Sequence, residues 1–279
     1  MKRLSLVSAL LVLAHAATAG VLRINGSTTV NLPVAEAAEI LRAEKRMQIQ
    51  VDTQGGSSGG ISMLAEGLVQ IGMSSKPLSA EDRAKYPRVR FKETRIGEDA
   101  VALVVSRDVW EGGVRALSKQ QARDIYEGHI TDWKALGGKS QRVVFFNKEP
   151  GRGTWEVFAH WLYGAAQNAP PVSLPEVGGN EETRSKVGST RGAISQLSSA
   201  WADGKKVFAL DINDGKGQAI AATAANIASG KYPMSRPLFV LTNGEPAAEA
   251  KVLIDYLLSE PGQALVRKHG YLALQDLGQ

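Results

Sequence analysis

Met47-Gln48-Ile49-Gln50-Val51-Asp52-Thr53-Gln54-Gly55-Gly56-Ser57-Ser58-Gly59-Gly60-Ile61, residues 47–61, is the stretch that decides the fold. Met47, Ile49, Val51 and Thr53 alternate with other side chains at the period of a strand. The glycine-serine run breaks that strand, and Ile61, Leu64, Ala65 and Leu68 then recur on one helical face. Strand, polar glycine turn and helix in direct succession predict an α/β unit.

The same order stands on either side of it. Upstream, Val21 to Asn25 reads as a strand and Gly26-Ser27-Thr28-Thr29 as a turn. A helix follows from near Leu32, with Pro33 in its first turn and Val34, Ala37, Ala38 and Leu41 on its apolar stripe. Downstream, Val69 to Met73 is a third short strand that ends in Ser74-Ser75-Lys76-Pro77. Ala100 to Val105 is a continuous apolar run, as in a strand buried on both faces, and reads as a first crossing into a second lobe. Ser118 is the expected cap of a helix through Tyr126. Val143 to Phe146 is a strand leading into Lys148-Glu149-Pro150-Gly151-Arg152-Gly153-Thr154, and the next helix carries Trp155, Phe158, Ala159 and Leu162. Val207 to Ile212 and Leu238 to Leu241 are expected to carry the chain back. Two helices close it, one using Val252, Leu253, Tyr256 and Leu257, the other capped by Ser259, with Pro261 in its first turn and Gly270 at its end.

Strands alternating with helices predict an α/β fold of mainly parallel sheets flanked by helices, and the chain's length favours two lobes with a ligand cleft between them. The expected division assigns residues 20–98 and 207–279 to lobe 1 and residues 99–206 to lobe 2. Residues 1–19 read as a cleaved secretory signal: Met1, Lys2 and Arg3, an apolar run from Leu4 to Ala14, then Ala17-Thr18-Ala19 before Gly20. That run is too short to span a bilayer, which needs roughly 20 apolar residues. Without a cysteine the chain has neither disulfides nor an N-terminal lipid site, so it is expected free in a periplasm. Loss of Lys2 and Arg3 lowers the formal charge from +5 to +3, and the basic residues are scattered among acidic ones, which argues against a nucleic-acid partner.

Three of the turns lie between a strand and a helix, where backbone N–H groups lack intrahelical partners and the helix dipole is positive. Each is either a plain cap and turn or an anion site, and together they lie where crevices form beyond the carboxyl ends of strands. Ser27, Thr28, Ser57, Ser58, Ser75 and Thr154 can add hydroxyl donors. Chemistry is poorly supplied. There is no cysteine nucleophile, and His129, His160 and His269 stand apart with no partner at metal-ligand spacing. Gly138-Lys139-Ser140 resembles the end of a phosphate loop, yet Trp133 occupies the position of its first glycine. Asp211-Ile212-Asn213-Asp214-Gly215 has its glycine one residue too early for a calcium loop. No cofactor, metal or catalytic residue is expected, so the chain is not read as an enzyme. Ser189, Thr190 and Arg191 form a glycine-flanked loop that either reaches the cleft or merely turns.

Six stretches in order carry a resemblance: Ile24-Asn25-Gly26-Ser27-Thr28-Thr29-Val30, Gln54 to Gly60, Ile71 to Leu78, Leu117 to Trp133, Gly151-Arg152-Gly153-Thr154, and Gly230 to Leu238. The chain resembles the periplasmic phosphate-binding component of the phosphate-specific ABC transporter. The resemblance implies a type II periplasmic binding fold and a monomer that takes inorganic phosphate and docks on the membrane permease subunits of an ABC importer. Carried over by position, the ligand residues are Ser27, Thr28 and Thr29 of the first turn, Ser57 and Ser58 of the second, Ser74 and Ser75 of the third, and Lys148, Arg152, Gly153 and Thr154 of the second lobe. Many family members have an aspartate at the position of Ser75, whose carboxylate accepts a hydrogen bond from protonated phosphate and repels a fully ionised anion such as sulfate, so discrimination from sulfate is expected to be weaker here. The family's arginine aligns with Lys148, and Arg152 either supplies the guanidinium in its place or points to solvent. Sulfate, arsenate and reuse of the fold for protein docking or signalling are the alternatives.

Overall fold

The computed structural model describes residues 20–278, so the signal assigned to residues 1–19 lies outside the described residues. The chain runs β1 (Leu22–Gly26), α1 (Asn31–Lys45), β2 (Ile49–Asp52), α2 (Gly56–Ala65), β3 (Ile71–Ser74), α3 (Ala80–Lys85) and β4 (Phe91–Ser106). Then come α4 (Arg107–Glu111), β5 (Ala116–Ser118), α5 (Lys119–Tyr126), β6 (Val144–Lys148), α6 (Gly153–Tyr163), β7 (Glu176–Val177), α7 (Asn180–Ser189) and β8 (Ala193–Ser198). The remainder is β9 (Val207–Ala209), β10 (Asp211–Asn213), β11 (Ala219–Ile220), α8 (Ala224–Ala228), β12 (Ser235–Asn243), α9 (Ala248–Leu258) and α10 (Glu260–Lys268). The expected caps form: Ser118 and Gln121 make a reciprocal capping box on α5, and Ser259 accepts from the Gly262 N–H at the start of α10.

One nine-stranded sheet runs β2-β1-β3-β12-β4-β8-β6-β7, with β9 also paired to β4. Its two flanks are parallel, β2-β1-β3 on one side and β8-β6-β7 on the other. The centre is antiparallel, because β4 and β12 are the two crossings between lobes and run in opposite directions. β4 spans 16 residues: Phe91 to Ala100 pair with β12, and Val101 to Ser106 pair with β8 and β9. A register shift at Leu238/Phe239 interrupts the β4–β12 ladder.

Two cores sit on the two sides of these crossings. Ile24, Leu41, Ile71, Leu253, Leu257 and Val266 fill the first. The second is built on Leu103, Tyr126, Phe145, Phe158 and Ile194, with Tyr126 edge-on to Phe145 and Phe158 at 5.5 and 5.4 Å. The chain returns later than the expected boundary at residue 207. Ile212, Ile227, Tyr232 and Met234 are buried in the second core, and the Tyr232 hydroxyl donates to the Val101 carbonyl. The apolar run 207–212 bends at Leu210, so that β9 pairs with β4 and β10 with β5. Apolar character marks these strands as buried but not in which core, and the strand that pairs along Phe91 to Ala100 of β4 is β12, from Ser235. We therefore propose lobe 1 as residues 20–100 and 235–278, and lobe 2 as residues 101–234.

Gly60 shows why the glycine turn leads straight into α2. A Cβ built there would stand 2.7 Å from the Asn25 carbonyl oxygen and 2.8 Å from that of Met73, both backbone atoms. The helix is thus held against the ends of β1 and β3. Gly60→Ala is expected to destabilise the fold by about 1–3 kcal/mol, lowering Tm by roughly 2–4 °C per kcal/mol in thermal unfolding. An unchanged Tm would show that the helix can shift away without loss.

Candidate functional site

A small cavity opens where three turns of the first lobe meet the turn before α6. Ser27, Thr28 and Thr29 line it from the β1–α1 turn, Gly56 and Ser57 from the start of α2, and Ser75 from beyond β3. Lys148, Arg152, Gly153 and Thr154 face them from the second lobe, joined by Gly178 and Asn180. Its enclosed free volume is about 10 Å³, room for roughly one water-sized guest, far below the ~300–1,000 Å³ of pockets that take drug-sized ligands.

Local structure explains the convergence. Gly55 and Gly56 take φ of +72° and +60°, a conformation that turns the strand abruptly into α2 and that a residue with a Cβ adopts at a cost. The N-termini of α2 and α6 thereby lie at the cavity, with Gly56 and Ser57 of one and Gly153 and Thr154 of the other among its lining residues. Hydroxyls tie the turns together: Ser27 Oγ donates to Ser75 Oγ at 2.9 Å, and Ser57 Oγ accepts from the Ser75 N–H at 3.1 Å.

Two expected residues lie elsewhere. Ser74 Oγ donates to the Lys76 carbonyl and is used in its own turn. Ser58 does not line the cavity; its hydroxyl donates to Glu156 at 3.3 Å, and its N–H donates to the Gly151 carbonyl at 3.1 Å, so it bridges the lobes. Beside it the buried Lys76 ammonium bonds Asp82 of its own lobe and Glu156 of the other, each at 2.7 Å. Ser189, Thr190 and Arg191 are also absent from the lining, and the Ser189 hydroxyl turns back onto the carbonyls of its own helix.

The turn pattern passes over Arg236. This residue is 1% exposed on β12 and stands directly opposite Asp99 of β4. The Asp99 carboxylate accepts from its Nε at 3.0 Å and its Nη2 at 2.7 Å. The rest of the fork reaches across the back of the cavity: Nη1 donates to Thr154 Oγ1 at 2.9 Å and Ser75 Oγ at 3.2 Å, and Nη2 to Thr29 Oγ1 at 3.1 Å. Asn180 Nδ2 also donates to Thr29 Oγ1, at 3.0 Å. One guanidinium therefore touches hydroxyls from both lobes. Its traces in the sequence are a basic residue near the start of a largely apolar strand and its place in the Gly230 to Leu238 stretch, neither of which says what it meets.

Arg152 lines the cavity, but its Nε and Nη2 donate to Glu149 at 2.9 and 2.6 Å, so its fork is already partly filled. Lys148 is buried, with Nζ donating to the Gly178 and Gly179 carbonyls at 2.8 and 3.0 Å and to Asn180 Oδ1 at 3.4 Å. Burial, with Arg152 and Arg236 nearby, holds the Lys148 ammonium well below the usual lysine pKa. Among the described residues no group of three or more His, Asp or Glu side chains comes together as a metal site. No helix of the described residues is long and apolar enough to cross a membrane.

The fold has known counterparts. A family model described as a PBP superfamily domain matches residues 12–261. Over 260 residues, 92% of this chain and 82% of the relative, the chain is 32% identical to the phosphate-binding protein PstS of Bacillus subtilis. The chain belongs to the PBP superfamily, in the family of the PstS phosphate-binding proteins. Among solved structures, a protein described as a phosphate ABC transporter substrate-binding protein from Clostridium perfringens, with bound phosphate, matches with a TM-score of 0.80 at 30% identity. The match covers 91% of this chain and 100% of that one. An ABC-type phosphate transport receptor from Vibrio cholerae matches with a TM-score of 0.71 at 27% identity over 90% of this chain and 99% of its own.

The depressed Lys148 fixes the sign of one pH effect in this PstS relative. Between the folded and unfolded pKa values the unfolded chain holds a proton that the folded chain has released, so stability rises with pH across that window. The wild-type chain should gain unfolding free energy through the alkaline range relative to Lys148→Met, measured by urea unfolding. Parallel pH curves for the two proteins would contradict it.

Proposed function

We propose that this chain is the extracytoplasmic receptor that captures inorganic phosphate and presents it to the membrane permease subunits of an ABC importer. The observation that carries the reading is the cavity's lining: neutral hydroxyls, two helix N-termini and buried basic side chains converge from both sides on one small enclosed space. Family membership supports phosphate as that anion. An exported, periplasmic location fits the basic start, short apolar run and A-x-A site of residues 1–19.

Binding needs no bond to be made or broken, and the chain acts as a carrier without catalysis. The oxyanion meets the Ser27–Thr29 turn and Ser57 first, through hydroxyls that are already ordered by one another. The second lobe then closes about the paired crossings β4 and β12, bringing Thr154, Gly153 and Arg152 to the anion's other side. In the closed cleft the hydrogen bonds act without competition from water, in a medium where each is electrostatically stronger. The fixed cations sit behind or beside neutral donors, so the anion's charge is balanced without a direct contact to every one of them.

Isothermal titration of the chain lacking residues 1–19 with phosphate should show one saturable site at micromolar protein. Absence of heat up to millimolar phosphate would overturn the reading. Arg152→Ala should weaken phosphate binding about tenfold, or ~1.4 kcal/mol, near the low end for a charged hydrogen bond because Glu149 shares the guanidinium. An unchanged Kd would confine Arg152 to its ion pair.

A further inference from the structure

Lys148 and Arg152 line the cavity and Arg236 backs it, but only the two arginines carry a counter-ion of their own. Arg236 is paired with Asp99, and Arg152 with Glu149. Lys148, 1% exposed at the end of β6, makes no ion pair among the described residues. Its Nζ contacts are the Gly178 and Gly179 carbonyls at 2.8 and 3.0 Å and Asn180 Oδ1 at 3.4 Å. An ammonium has three N–H donors and no acceptor, so these oxygens match its hydrogens one for one. The cage thus fits the charged form in shape but supplies no negative charge. Burial and the guanidiniums of Arg152 and Arg236 drive the proton off. Glu182 of α7 and Glu149 of the turn after β6 pull the other way, yet both are committed: Glu182 accepts from the Gly178 N–H at 2.9 Å, and Glu149 from Arg152.

We infer that the cavity takes up its anion together with a proton, and that Lys148 is the residue that receives it. This rests on the phosphate reading of the same cavity. Without the anion, at alkaline pH, Lys148 is an amine with two hydrogens for three acceptors. An oxyanion against the wall that Lys148 helps to form supplies the charge the cage lacks, and the ammonium becomes the stable form. The proton comes from the buffer and adds to the Nζ lone pair, and no other covalent bond changes. The third hydrogen then completes the cage and holds the Gly178–Asn180 segment to β6. That segment carries the Asn180 amide that donates to Thr29 Oγ1 of the other lobe at 3.0 Å, so the same proton steadies a contact across the cleft.

The test is isothermal titration of the chain lacking residues 1–19 with phosphate at about pH 9, below the ordinary lysine pKa of ~10.4, in two buffers that differ in heat of ionisation. The binding heat should differ between the buffers by the amount expected for about one proton taken up per phosphate, and Kd should weaken by about tenfold per pH unit around that pH. Phosphate arrives there as the dianion, and two variants separate a proton taken by the ligand from one taken by Lys148. Lys148→Arg is always charged and Lys148→Met never is, so each should give heats that no longer depend on the buffer and a Kd that stays level over the same range. A buffer dependence that persists unchanged in the variants places the proton on the ligand or another group and overturns the inference. Wild-type heats that are the same in both buffers overturn it as well, and that result stands even if neither variant folds. Both outcomes leave the phosphate reading intact, whereas no binding of phosphate at neutral or alkaline pH overturns the two together.

Discussion

The Asp99–Arg236 pair is the interaction on which the rest of the site depends. It joins directly opposed residues of the two crossing strands, and its side chains are 1% and 0% exposed. Such a pair is not chosen for stability, because the cost of taking two ions out of water offsets most of their attraction. Removing one partner is another matter, costing about 3–5 kcal/mol because the survivor is buried alone. The pair is thus locked once formed. Its position holds a cation on the paired crossings β4 and β12, and the unspent edges of that cation order hydroxyls on either side of the cleft.

The division between neutral and charged groups follows from this placement. A cation in direct contact would bind an anion strongly but with little discrimination of geometry. Set behind a layer of hydroxyls, it acts through dipoles whose directions are fixed by the backbone. Lys148 plays a comparable part on the second lobe, its ammonium surrounded by the Gly178 and Gly179 carbonyls and Asn180. It anchors the segment that carries Asn180, and Asn180 in turn completes the coordination of Thr29.

Much of this was legible in the residues. Strand, glycine turn and helix recur because each step is local: alternation, a residue that tolerates positive φ, and an apolar stripe all lie within about fifteen residues. Ser27, Thr28, Thr29, Ser57, Ser75, Lys148, Arg152, Gly153 and Thr154 duly meet at one cavity. Ser74 and Ser58 share the same turn chemistry but face other ways, since a hydroxyl's direction is decided by its nearest acceptor rather than by its neighbours in sequence. Arg236 was hidden for a different reason. Its partners are 137 residues away at Asp99 and 207 away at Thr29, and no local pattern encodes such a meeting. The late return of the chain was hidden likewise, because an apolar strand such as 207–212 does not announce which of two cores it fills.

Lys76 and Ser58 add a consequence of another kind. Their bonds to Glu156 and Gly151 join the lobes outside the anion's reach, so the shut cleft has attractions of its own. The apparent affinity of a receptor is its intrinsic affinity scaled by the fraction of molecules already in the competent shape. Changes at this seam would therefore retune the concentration at which the receptor fills while leaving untouched every atom that distinguishes one anion from another. Sensitivity and selectivity are, in this molecule, written in separate places.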